Sequence, residues 1–206
     1  MNFIIALLLS LLPQIDEEIP EGAFTYPGLH PREIIVLDPD RSPLLKQGYF
    51  QLKSQLHLEW TEKKVLQSVL TFVKTTLFNP DTCSERKTVQ LIHELYPDEF
   101  QPEIPLETFI EEKTGVCRHI ALATTYYLHE LAKDGWLEGT AYLIRDEIPL
   151  GRHAWTLFLS NESAWHLDAY WGLLEDGKTE EGYKKLSRFY GVETMKRQAQ
   201  RWTDGD

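Results

Sequence analysis

Three side chains in this sequence could together make or break an acyl bond: Cys117, His153 and Asp168. A thiol attacks a carbonyl carbon only as the thiolate. That form is favoured at a helix N-terminus, where free N–H groups and the helix dipole stabilise negative charge, and beside a histidine. An aspartate that holds one imidazole nitrogen fixes the tautomer and leaves the other nitrogen to take the thiol proton. Singly, each residue has an ordinary role: a small buried cysteine, a surface histidine, a turn aspartate. The elements that carry them decide whether they meet.

Periodicity places Cys117 first. Ile120, Ala121, Thr124, Leu128, Leu131 and Ala132 form one apolar face, which predicts a helix from Cys117 to Lys133 ended by Asp134-Gly135. Gly115 permits a tight turn just before it, so Cys117 falls in the first helical turn. Beyond Gly139 the apolar period drops to two, giving strands at 140–145, 153–160 and 164–171. If Asn161-Glu162 is a two-residue turn, Ser160 pairs with Ser163, Trp155 stands opposite Asp168 and His153 opposite Tyr170. His153 and Asp168 then share a face as diagonal neighbours; a one-residue slip would separate them.

Upstream, helices are expected from Thr61 to the Asn79-Pro80 stop, from Ser84 to Pro97, and around Leu106, Phe109 and Ile110. Downstream, helical stretches are expected at 179–190 and 192–202. Residues 16–59 carry Pro20, Pro27, Pro31, Pro39 and Pro43 and read as an extended wrapping segment, in which Ile34 to Leu37 could add a strand or plug a groove. Residues 1–15 form a separate apolar segment, signal-like or a docked helix. Its run from Phe3 to Leu12 is too short to span a bilayer, and no Lys or Arg precedes Arg32.

The blocks Thr114-Gly115-Val116-Cys117-Arg118, Arg152-His153-Ala154-Trp155 and Trp165-His166-Leu167-Asp168-Ala169-Tyr170-Trp171 resemble, in order and context, the transglutaminase-like superfamily. The resemblance covers about residues 60–175. It implies an α+β, papain-like fold over 60–206, with a helical N-terminal half packed on an antiparallel sheet. It also implies a Cys117–His153–Asp168 triad, Trp155 in the wall beside the site, and acyl transfer or hydrolysis at an amide through a thioester, with protease, deamidase and transamidase chemistry all open. The chain departs from the family pattern at His119, where an acidic residue is common, and at Ala169, where proline is common. The cysteine N–H is one expected oxyanion donor; Gln90, Tyr96 and Gln101 are candidates for the second. The rival is a catalytically silent module of the same fold that docks peptides.

Composition sets the bounds. The 206 residues suffice for one substantial core. A net charge of −11 excludes a nucleic-acid partner as the natural expectation, since phosphate binding needs clustered cations; the expected partner is a protein or peptide substrate, with membrane association only through residues 3–12. Two cysteines, Cys83 and Cys117, build no disulfide framework, and free thiols favour a reducing, cytoplasmic compartment over export. No cofactor is expected: His119 and His166 lack the short-spaced ligand pairs of a metal site, and no calcium-type loop occurs. His166, on the Asp168 face by alternation, reads as a partly exposed strand histidine or as a support for Asp168. The basic residues between Lys178 and Arg201 read as a solvated helix surface.

Overall fold

Ser42-Pro43 opens a helix where an extended run is expected. The computed structural model describes residues 17–18, 24–25, 33–99 and 102–204, so the 1–15 segment and Gln101 lie outside the described residues. Within them α1 spans Pro43–Lys53. Proline at the first helical position loses no bond, because that N–H is unpaired in any helix, and Leu45, Tyr49 and Leu52 fall on one buried face. Here the proline starts an element instead of breaking one, which corrects the reading of 16–59 as extended throughout.

The next helices form where the apolar spacing places them. α2 spans Glu62–Phe72, burying Val65, Leu66, Val69, Leu70 and Phe72, and ends in a wider turn over Val73–Leu77 before Asn79-Pro80. α3, Glu85–Leu95, is capped by Ser84 accepting from Lys87 N–H and buries only Thr88. α4 is Leu106–Glu111 and α5 is Cys117–Lys133. After the sheet come α6, Glu180–Tyr190, and α7, Val192–Asp204.

The strands are β1 (Glu17–Glu18), β2 (Phe24–Thr25), β3 (Ile34–Val36), β4 (Glu103–Pro105), β5 (Thr140–Ile148), β6 (Gly151–Leu159), β7 (Ala164–Asp168) and β8 (Leu173–Asp176). An antiparallel sheet runs β1-β5-β6-β7-β8; a small one runs β2-β3-β4, with β3 parallel to β4. The fold is therefore α+β, with the apolar run at Ile34 a strand. The third expected strand stops at Asp168, not Trp171. There the Asp168 carboxylate takes Trp171 N–H at 3.0 Å and its carbonyl takes Gly172 N–H at 2.7 Å, turning the chain into β8.

The β6–β7 register is the counted one. Ser160 N–H bonds to Ser163 O, and Leu159, Phe158, Leu157 and Thr156 oppose Ala164, Trp165, His166 and Leu167. Alternation sends Ala154 and Phe158 into a large core with α5 and α2, while Trp155 and Leu157 join Leu186, Tyr190 and Met195 beneath α6 and α7. The sheet is thus covered on both faces. α2 is tied to the β6–β7 turn by Glu62, whose Oε1 accepts from Ser163 Oγ at 2.7 Å and from Trp165 Nε1 at 2.5 Å.

Candidate functional site

β6 runs past the end of β7: its ladder to β7 stops at Thr156, while its ladder to β5 continues to Gly151. The stretch from Arg152 to Trp155 consequently has one open edge, which faces the 169–172 turn and the start of α5. Into this notch the three singled-out side chains converge.

His153 Nε2 lies 2.6 Å from Asp168 Oδ2, both groups buried, and the thiol of Cys117 interacts electrostatically with the same imidazole. Since Nε2 is committed to the aspartate, Nδ1 is the nitrogen left for sulfur. The N–H of Ala154, on the open edge of β6, also points to the thiol. Burial pushes the Cys117 thiol up, but the His153 bond and charge, the Ala154 N–H and the charge of Arg118 outweigh it and hold the thiol below its ordinary range. Burial pulls His153 down, yet Asp168 and Cys117 more than reverse this and lift it to about 9. Both shifts favour moving the proton from sulfur to the imidazole.

The histidine is clamped on several sides. Trp171 stacks on it with ring centroids 4.0 Å apart and planes 12° apart, and Tyr190 O–H donates to Asp168 Oδ2 at 3.3 Å. Trp155 is fully buried: it stacks on Tyr190 at 4.2 Å and donates Nε1–H to His166 Nδ1 at 2.9 Å. Its ring lies 6.0 Å from that of His153. His166 is fully buried, contrary to the partly exposed reading, because the α6–α7 pair covers that face; burial pulls its imidazole down to about 3.

The start of α5 is fixed by Gly115 and His119. Gly115 has φ 155°, and a Cβ there would lie 3.1 Å from His119 Cβ and 3.2 Å from Phe78 Cε1. His119 Nδ1 accepts Val116 N–H at 3.1 Å, the task of Glu or Gln at this position in a capping box. Its proton therefore sits on Nε2, 3.0 Å from Glu33 Oε1. Glu33, at the entrance to β3, also receives Arg118 through Nε at 3.0 Å and through Nη2. Burial pushes the Glu33 carboxyl up, but His119 and Arg118 hold it at about 2, while burial pulls His119 down to about 4. His119 thus caps the helix that carries Cys117 and, kept neutral by burial, faces the Glu33 carboxylate of the N-terminal arm.

Other sequence candidates lie elsewhere. Gln90 is exposed and bonds to Glu94, so it is no oxyanion donor as placed. Tyr96 is part-buried at the end of α3. The Cys117 N–H opens α5 and has no intrahelical acceptor. Among the described residues no group of three or more His, Cys, Asp or Glu could hold a metal ion, and no helix is long and apolar enough to cross a membrane. Cys83 and Cys117 are both free thiols. A cavity of about 180 Å³ begins one turn along α5 from Cys117, lined by Lys74, Phe78, Cys83, Ile120, Ala169 and Tyr170. Glu33, Tyr190 and the Ala154 N–H had no sequence signal of their own, whereas Trp171 belongs to the block that carries Asp168.

No protein-family model, no curated protein and no solved structure matches this chain.

Proposed function

We propose that this chain is a transglutaminase-like cysteine enzyme that transfers or hydrolyses the acyl group of an amide in a protein or peptide. The observation that carries the reading is the pairing of a short buried His153–Asp168 contact with a thiol on the same imidazole, at the first residue of a helix. The Cys117 thiolate attacks the amide carbonyl carbon, and the resulting oxyanion takes the free Cys117 N–H. His153 gives its proton to the leaving nitrogen, the C–N bond breaks, and ammonia or an amine departs from a thioester. His153, now neutral, takes a proton from water or a second amine as that nucleophile attacks, and the thiolate leaves. Asp168 keeps the imidazole in the required tautomer throughout.

The test is iodoacetamide labelling of Cys117 against pH, read by mass spectrometry, in wild type and His153→Ala. The expected result is a midpoint well below that of a free thiol, lost in the variant. An ordinary thiol midpoint, unchanged in His153→Ala, would refute the triad and leave a silent peptide-docking module.

A further inference from the structure

A chain of net charge −11 places three arginines around its candidate nucleophile. Arg145 stands directly opposite Ala154, whose N–H points to the Cys117 thiol, and Arg152 is its diagonal neighbour on that same face. Arg118 follows Cys117 in α5. Arg118 is satisfied by Glu33, but among the described residues neither Arg145 nor Arg152 makes an ion pair or a side-chain hydrogen bond. Glu147 faces Arg152 in the register without pairing to it, and Asp146 points to the other face, where it binds Arg197.

Elsewhere Arg197 pairs with Asp146, Lys185 with Glu175 and Lys53 with Asp134. Arg145 is half-buried in the fields of Arg118, the Cys117 thiol, Arg152 and a Glu33 carboxylate already bonded to Arg118, and burial together with Arg118 lowers its proton affinity. Desolvating a guanidinium among like charges is unfavourable unless an anion completes the set. The Cys117–His153 pair is neutral overall whichever of the two holds the shared proton, so it does not supply that anion.

We propose that Arg145 and Arg152 form an anion subsite beside Cys117 that selects amide substrates carrying a carboxylate on the residue flanking the scissile bond. This rests on the acyl-transfer reading above. A guanidinium fork engages a carboxylate through two parallel N–H bonds, so the subsite orients the substrate as well as attracting it. An acidic protein with a basic site repels acidic peptides everywhere except where they react.

Two small reagents test it on the intact protein: anionic iodoacetate and neutral iodoacetamide, each alkylating Cys117. Their rate ratio does not depend on the thiolate fraction, because both read the same thiolate. Arg145→Gln should lower the iodoacetate-to-iodoacetamide ratio about three- to tenfold, and Arg152→Gln by less, while Arg145→Lys keeps most of it. Arg41→Gln, a surface cation removed elsewhere, should leave the ratio unchanged. Ratios equal to wild type in both Arg145→Gln and the exposed Arg152→Gln, with the midpoint of Cys117 still depressed, would overturn the subsite and spare the triad. Slow labelling by both reagents with an ordinary midpoint would overturn the acyl-transfer reading and the substrate assignment with it. Chloroacetyl-glutamyl amide and chloroacetyl-glutamine free acid, compared with neutral chloroacetyl-glutaminyl amide, then separate a side-chain from a chain-terminal carboxylate. No preference for either acid would overturn the assignment.

Discussion

Replacing Asp168 by Asn tests the coupling between the three residues directly. The lift of His153 from 6.5 to about 9 corresponds to about 3 kcal/mol of preference for the imidazolium over the neutral ring. Asp168 supplies the larger part, through a 2.6 Å contact in a buried setting where a charge-assisted bond is strong. The amide oxygen of Asn can still accept from Nε2, so the ring stays in place, but the negative charge is gone. A loss of about 1.5–3 kcal/mol returns His153 to its ordinary range or below, since burial then dominates. Near neutrality the thiol no longer faces a cation, and its midpoint rises by about one to two pH units. Alkylation of Cys117 by iodoacetamide at about pH 6 should therefore slow about 10- to 100-fold, with the rate at high pH unchanged. Thermal unfolding run alongside shows that the variant is folded. A folded Asp168→Asn protein with a wild-type midpoint would show that Cys117 and His153 are tuned without the aspartate, and the argument for a triad would fail.

Glu33→Gln should destabilise the chain by about 3–5 kcal/mol in urea unfolding, because it leaves Arg118 part-buried without its carboxylate and puts a neutral amide in place of the charged acceptor facing His119; a loss under about 1 kcal/mol would mean the arm is not anchored there. Gly115→Ala should cost about 1–3 kcal/mol, since both the positive φ and the 3.1 Å approach to His119 Cβ oppose a side chain; an unchanged melting temperature would argue against this turn. Acid should also unfold the chain by way of its buried neutral histidines. His119 and His166 have folded values depressed to about 4 and about 3, so the unfolded chain takes protons first once pH falls below about 6.5, and each histidine removes up to about 1.4 kcal/mol per pH unit down to its folded value. Urea titrations at about pH 7 and about pH 5 should differ by a few kcal/mol, and equal stabilities would sink the burial argument.

What the sequence made legible was local. Apolar spacing located α5 with Cys117 at its first residue, and counting back from Asn161-Glu162 gave the register that sets His153 and Asp168 diagonal, because hairpin pairing is fixed by the turn and needs no distant information. The α1 helix was missed because a proline read as a breaker is, at the first position, a starter. β8 was missed because the turn at Gly172 depends on the Asp168 carboxylate accepting Trp171 N–H, a bond that no periodicity encodes.

The parts that tune the site come from distant segments. Tyr190 reaches Asp168 from α6, and Glu33 reaches the residues beside Cys117 across 85 positions of chain. Each ties a distant segment to a charge at the site, so the proposed nucleophile and its aspartate are each held by an element that a sequence reading assigns to packing. The same logic gives Arg145 its significance. Its place opposite Ala154 is fixed by the β5–β6 register, and among the described residues no carboxylate forms an ion pair with it. In the proposed subsite a substrate carboxylate completes the set that this half-buried guanidinium, without an ion pair of its own, leaves open.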